Sequence, residues 1–330
     1  MHQSYIYYRI HSINILLYTD SMQTLSAFYE SIFGCKTYKI SLDAGCTCPN
    51  RDGTKGSGGC IFCSENGSGD FAASRNLSIR EQLEQGRTLV EAKLHGRSGE
   101  RRGKYIAYFQ NFSSTYGDAE VLLGKYREAL ECECVAGLAV ATRPDCLNEQ
   151  SLLGLADISK NHFVQIELGL QTSNEQTGQL INRCYTNQDY TDAVARIHEA
   201  SPQIHIVTHL IFGLPGESEE DMLNSVKFVV QTNENTRHAE YVSASPFGIK
   251  ITSLYVLKNT PLAQMFESGE YEPLSKELYF ELLKKALLLI PQNCVVHRLT
   301  GDPPKKLLLA PDWTTDKKRI LNEINQITLC

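Results

Sequence analysis

YKISLDAGCTCPNRDGTKGSGGCIFC, residues 38–63, joins a β-branched apolar stretch to a glycine-rich loop carrying Cys46, Cys48, Cys60 and Cys63. Reactive groups in parallel α/β proteins gather at the C-terminal ends of strands. A cysteine loop directly after a strand is therefore placed for chemistry, provided the rest of the chain continues as α/β. It does. The strand candidate at 38–43 is followed by others at 105–110 (YIAYFQ), 135–142 (VAGLAVAT), 163–169 (FVQIELG), 204–212 (IHIVTHLIF) and 239–245 (AEYVSAS). Their near-continuous apolarity predicts strands buried on both faces, as in a parallel sheet. Helical signals lie between them. Ser78 and Glu81 form a capping box ahead of an amphipathic run, Ser173 and Gln176 offer a second, and 189–200 and 219–230 read as helices. The alternation predicts an α/β fold with right-handed crossovers, either an open doubly wound sheet or a partial barrel. Beyond about residue 250 the pattern changes to a helix at 274–290, a short strand at 294–299 and a helix at 314–327. The expected division is a lead-in at 1–36, the α/β unit at 37–250 and a C-terminal α+β extension at 251–330.

Composition narrows the function classes. Of 330 residues, 42% are apolar and 21% charged, an ordinary globular balance. No apolar run approaches the roughly 18 residues of a membrane-spanning helix, so no membrane role is expected. Lys plus Arg is 32 against 38 for Asp plus Glu, a net charge of −6, which argues against a histone-like nucleic-acid wrapper but leaves room for a local basic patch. Residues 1–21 lack clear structural pattern and no convincing secretory signal; Met22 is a candidate natural start. Eleven cysteines, clustered and odd in number without an export signal, point to metal or redox chemistry in a cytoplasmic protein before disulfides.

On spacing alone three readings of the cysteine loop stay open. Three thiolates can hold three irons of a [4Fe–4S] cluster and leave the fourth iron open. Four, with Cys46, can close a structural zinc site. The third reading has no metal. Other residues carry their own alternatives. Glu167 sits in an apolar strand, where a carboxylate without a partner is costly, and so reads as a site residue. His209 reads as a satisfied core histidine. Arg143 and Asp145 follow the third strand and either pair together or face substrate.

The loop DAGCTCPNRDGTKGSGGCIFC resembles the cluster loop of the YhcC/YtqA-like family of radical S-adenosylmethionine (SAM) proteins, with its long C-x11-C-x2-C spacing. Further stretches match in order: AYFQNFSSTYGD (107–118), ATRPDCL (141–147), IELGLQT (166–172), HLIFGLPGE (209–217), LYVLKNTPLA (254–263) and HRLTGDPPKKLLLAPDW (297–313). The resemblance spans about residues 24–328, and a more distant one links the chain to the radical SAM domain of the Elongator catalytic subunit. It implies a partial (β/α)6 radical SAM barrel and an enzyme using a [4Fe–4S] cluster and SAM. Cys48, Cys60 and Cys63 would ligate the cluster, with Cys46 a neighbour. Gln110, Glu167, Gln171 and Arg183 would contact SAM, Arg183 through its carboxylate, and Gly213 and Leu214 would approach the adenine. Asn182-Arg183-Cys184-Tyr185 departs from the expected N-R-G-H, leaving that loop's role open.

The resemblance further implies tRNA as the substrate class, specifically removal of the carboxymethyl group from 5-carboxymethylaminomethyluridine at the wobble position. The product, 5-aminomethyluridine, would pass to a methyltransferase partner, and flavodoxin or ferredoxin would donate electrons. Arg101, Arg102 and Lys104, with Lys93 and Arg97, and separately Lys305 and Lys306, are candidate phosphate contacts; the plainer reading is a solvated basic loop. Two other functions stay in view: radical SAM chemistry on a small molecule or protein side chain, and a non-enzymatic cysteine-rich metal or redox module.

Overall fold

A computed structural model describes residues 22–65, 67, 72–94, 103–236 and 245–329. Residues 1–21, the strand expected at 239–245 apart from its last residue, and the basic residues Arg97, Arg101 and Arg102 lie outside that set. Eight strands form one parallel sheet: β1 (Gln23–Thr24), β2 (Lys36–Leu42), β3 (Gly103–Phe109), β4 (Val135–Thr142), β5 (Phe163–Gln171), β6 (His205–Phe212), β7 (Phe247–Ser253) and β9 (Cys294–Arg298). Their order is β1-β9-β7-β6-β5-β4-β3-β2, so β1 and β2 remain unpaired with each other and the curled sheet is an open barrel.

Helices α2 (Ile79–Val90), α3 (Ala119–Leu130), α4 (Glu149–Ser159), α6 (Asn187–Ala200), α7 (Glu219–Thr236) and α9 (Lys276–Leu287) cover the outer face. Strand alternation sends Ile40, Leu42, Ala107, Phe109, Ile166 and Leu168 outward onto Leu83, Tyr126, Leu155 and Val194, forming the main core. The expected capping box at Ser78 and Glu81 opens α2. The second is displaced by one residue: Asn174 caps the short α5 (Glu175–Leu180) by accepting from the Gln176 and Thr177 amides.

The described strand that follows α7 is Phe247–Ser253. β9, further along the C-terminal extension, inserts between β7 and β1 in the same sheet. The first helix, α1 (Leu25–Phe33), plugs the inner face. Phe28 and Tyr29 pack on Ile106, Tyr108, Ala139 and Val295, and Phe28 stacks on His205 at 4.5 Å. The inner face is thus packed at its N-terminal end and open toward the strand C-termini.

Above that open end lies a small two-stranded antiparallel ribbon of β8 (Val256–Leu257) and β10 (Leu308–Ala310), with α8 (Pro261–Glu267) beside it. Ile61 and Phe62 of the cysteine loop pack into their apolar cluster with Ile181, Leu214 and Leu254. The Ile61 carbonyl accepts from the Leu262 amide at 3.0 Å and its amide donates to the Ile181 carbonyl at 3.2 Å. The extension therefore fastens the cysteine loop over the barrel mouth.

Candidate metal centre

The loop that follows β2 is built to present thiols. Asp43, at the strand end, accepts from the Gly45 amide at 2.7 Å and from Asn111 Nδ2 at 2.5 Å, fixing the turn. Gly53, Gly58 and Gly59 take positive φ (77° to 87°), backbone that L-residues rarely adopt. Asn182 donates to the carbonyls of Ser57 and Gly59, and Asn50 Nδ2 donates back to the Asn182 carbonyl at 2.5 Å. This clasp uses Asn182, the part of the motif that is kept. Cys184 has φ +58°, the left-handed region where glycine is favoured, so the chain carries a side chain where a glycine would sit without strain.

Cys48, Cys60 and Cys63 are all part-buried, and hydrogen-bond donors face two of their sulfurs. Arg143 Nη1 lies 3.8 Å from Cys48 Sγ, and Asn50 Nδ2 lies 3.9 Å from Cys60 Sγ. A hydrogen bond from Cys60, aided by Arg51 and Arg143, draws the Cys63 thiol down to about 7, while Cys60 is pushed up by that bond and by burial. Two close thiols with cations beside them are suited to bind metal as thiolates. Cys46 differs: it is buried against the core and burial drives its thiol up to about 11. Among the described residues, no three His, Cys, Asp or Glu side chains converge as ligands of a single ion. Three spaced thiols with N–H donors around them fit a polynuclear iron–sulfur cluster with one open iron.

The other candidate residues fall into three groups. Around the mouth, Gln110 Nε2 donates to Ser41 Oγ at 2.9 Å, and Gln171, at φ +65°, accepts from Tyr185 OH at 2.6 Å. Gly213 has φ +88° and Leu214 is buried in the cluster that holds Ile61. Arg143 and Asp145 form a two-bond ion pair (2.9 and 2.8 Å), with Lys55 a second cation on Asp145 at 2.7 Å. The guanidinium stacks on Tyr185 at 4.7 Å, so this pair borders the cysteines.

A second group is committed inside the chain. Arg183 is fully buried. It donates to the carbonyls of Tyr185, Leu170 and Thr172 and to the side chains of Glu175 and Asn187. A SAM carboxylate would have to displace one of these partners. Glu167 is likewise enclosed, on the inner face below the mouth, where Lys39, Lys250, Tyr108, Gln165 and His209 surround it. The sequence reading flagged Glu167 but missed Lys39 and Lys250; their strand positions share its inward face, which is the signal that could have found them.

A third group is spread out. Lys104, exposed near the start of β3, lies at the strand end opposite the cysteines, and a phosphate bound there would be far from the mouth. Lys305 and Lys306 are exposed just before β10, beside exposed Lys258, whose amide donates to the Leu307 carbonyl; these stand on the mouth side.

Glu217, which ends the GLPGE run, gives a pH-dependent prediction. Thr172 donates its hydroxyl to one carboxylate oxygen, while the other is buried without a partner. Burial consequently raises this carboxyl to about 7. The native state then holds the proton more tightly than the unfolded chain, so stability falls as pH climbs from the ordinary carboxyl value to about 7. Glu217→Gln should leave stability nearly unchanged at pH 4 and raise it by about 3 kcal/mol at pH 8. Denaturant melts of the metal-free protein at both pH values test this, and an equal effect at both would refute it.

With this geometry in place, the comparisons can be given. The model of the radical SAM superfamily matches residues 50–229, and that of the radical SAM C-terminal domain matches 246–328. The chain is 38% identical to Bacillus subtilis YtqA over 303 residues, covering 92% of this chain and 88% of that protein. It is 26% identical over 185 residues to the tRNA uridine(34) acetyltransferase of Methanocaldococcus jannaschii, covering 56% of this chain and 31% of that one. The fold superposes on Methanocaldococcus infernus Elp3 with an N-terminal deletion at TM-score 0.61 and 15% identity, covering 89% of this chain and 64% of that one. Among the described residues no helix is long and apolar enough to cross a membrane.

Proposed function

The chain belongs to the radical SAM superfamily, and on that premise we propose that it removes the carboxymethyl group from 5-carboxymethylaminomethyluridine at the wobble position of a tRNA. As a radical SAM enzyme it uses a [4Fe–4S] cluster and SAM, which sets aside the non-enzymatic zinc-module reading. When bound, the reduced cluster cleaves SAM and thereby supplies the means to abstract a hydrogen atom from substrate. In our assignment Cys48, Cys60 and Cys63 hold the cluster, Arg143 and Asn50 direct N–H groups at its ligand sulfurs, and the two-stranded ribbon above shields the mouth from water.

The observation that carries the tRNA reading is the similarity to the tRNA uridine(34) acetyltransferase, a protein named for the wobble uridine. The chemistry agrees. The target methylene lies between an amine and a carboxylate, so its C–H bond is activated. Loss of the hydrogen atom to the radical, of one electron back to the oxidised cluster and of the amine proton to solvent would leave an imine, which water would split into the aminomethyl base and a two-carbon oxo acid. A wobble base is in a single-stranded loop and can be splayed into a pocket at low cost. Exposed Lys258, Lys305 and Lys306 stand on the mouth side, where anticodon phosphates would pass. An electron donor of the flavodoxin or ferredoxin type would act on the cluster, and a methyltransferase could consume the product.

The test is anaerobic turnover with SAM, reductant and tRNA carrying the modified base, followed by nucleoside analysis. Expected are 5′-deoxyadenosine and 5-aminomethyluridine in about equal amounts, since one hydrogen abstraction serves one product. SAM turnover on a metabolite pool, with tRNA unchanged, would select a small-molecule substrate instead.

A further inference from the structure

Five strands send six polar side chains to a single point inside the barrel. Glu167 Oε1 accepts from Lys39 Nζ and Gln165 Nε2, both at 2.5 Å. Glu167 Oε2 accepts from Lys250 Nζ and Tyr108 OH, both at 2.5 Å, and pairs with His209 Nε2 at 2.8 Å. The Glu167 side chain is 0% exposed, yet Lys39 keeps 15%, Lys250 10% and His209 31%. The cluster therefore has a sealed centre and an open face.

That face looks up the barrel. Two residues further along the same strands, Ser41, Gln110, Gly169, Ile211 and Thr252 continue the inner wall, and all are part-exposed. Gly169 supplies no side chain; a Cβ there would meet Gln171 at 2.5 Å. These part-exposed positions line the inner wall between the mouth and the cluster, and the α1 aromatics pack below it.

Basic groups outnumber acidic ones at this point. Burial pulls the His209 imidazole down to about 4, so it is neutral at pH 7. Lys39 and Lys250 share the single carboxylate of Glu167, and exposed Arg298, the β9 residue in register with Lys250, adds a third basic group beside them. Burial, then the neighbouring cations, draws Lys250 down to about 7 despite Glu167, so a second anion placed there would favour its charged form.

We propose that Lys39 and Lys250, with Arg298 beside them, form a carboxylate-binding floor that receives an anionic substrate side chain end-on. This deepens the tRNA reading and rests on it for the ligand's identity. A base side chain enters the barrel first, and backbone phosphates stay at the rim, so the ligand on the floor is a carboxylate. The reacting methylene, one bond from that carboxylate, is then held a short distance above the floor, toward the cysteines. Glu167 and Tyr108 act as positioning residues that hold the two ammonium groups.

The test compares two anticodon stem-loops on the cluster-loaded enzyme with SAM, one with the 5-carboxymethylaminomethyl group and one with its carboxamide, identical in shape but uncharged. Wild type should bind the acid between about ten- and a hundredfold more tightly, the range expected of a charge-assisted hydrogen bond. Lys250→Met, and Arg298→Gln at the exposed rim should the first not fold, should shrink that ratio severalfold while leaving affinity for an unmodified stem-loop unchanged. Equal binding of acid and amide by wild type overturns the floor even if tRNA binds. Failure of every stem-loop to bind instead overturns the tRNA reading. The floor is then judged with 13C-acetate, whose exchange broadening should appear with wild type and vanish with Arg298→Gln; no broadening with wild type overturns it.

Discussion

Cys60→Ala should reduce both bound iron and 5′-deoxyadenosine formation to background after anaerobic reconstitution, while Cys46→Ala should retain both. The two thiols lie in one loop but in opposite surroundings. Cys60 is hydrogen-bonded to Cys63, faces Asn50 and lies near Cys48. Cys46 is buried in the core, where burial holds its proton on. Removing one of three thiolates leaves an iron without its protein ligand, and a cluster held by two does not survive turnover. Removing Cys46 costs only a small buried group, on the order of 1–2 kcal/mol. Iron and sulfide content with the electron paramagnetic resonance spectrum of the reduced protein reads the cluster, and chromatography reads the nucleoside. Loss of iron in the Cys46 variant with retention in the Cys60 variant would overturn the ligand assignment.

Arg183→Met should lower the stability of the metal-free protein by about 3–5 kcal/mol, the cost of dismantling a buried, fully bonded charge. The guanidinium ties the end of β5, through Leu170 and Thr172, to Glu175 of α5 and Asn187 of α6. It also fixes the Asn182–Tyr185 clasp on the cysteine loop through its own backbone. Arg183→Lys should recover little, because an ammonium cannot reproduce the planar fork. Denaturant midpoints measure the effect. An unchanged midpoint with weakened SAM binding would instead assign Arg183 to the cofactor.

Much of this architecture was legible in the sequence, and the gaps have physical causes. Near-continuous apolar runs announced β2 to β6 because both faces of those strands are covered. β7 escaped because FGIKITS carries Gly248 and Lys250, which disguise a buried strand; the lysine is tolerated only because Glu167, 83 residues earlier, accepts from it. α1 falls within the stretch expected only as a lead-in, and nothing local shows that Phe28 and Tyr29 turn into the barrel. The cysteine loop could be read directly, since its spacing is local. Its supports could not, because Asn182 and Leu262 reach it from far along the chain. The same distance hid the inner cluster: Glu167 was conspicuous alone, whereas Lys39 and Lys250 acquire meaning only when five strands are set side by side.

The clasp on Ile61 also sets an order of events during synthesis. The thiol loop leaves the ribosome early, but the amide that caps the Ile61 carbonyl belongs to Leu262, and the strand paired with β8 is not complete until Ala310. Chains acquire structure from the N-terminus as they emerge, so a nascent chain shows its cysteines well before it can close over them. Loading the metal centre into its finished setting is therefore a late step, and the last fifth of the polypeptide controls when the first loop becomes sealed.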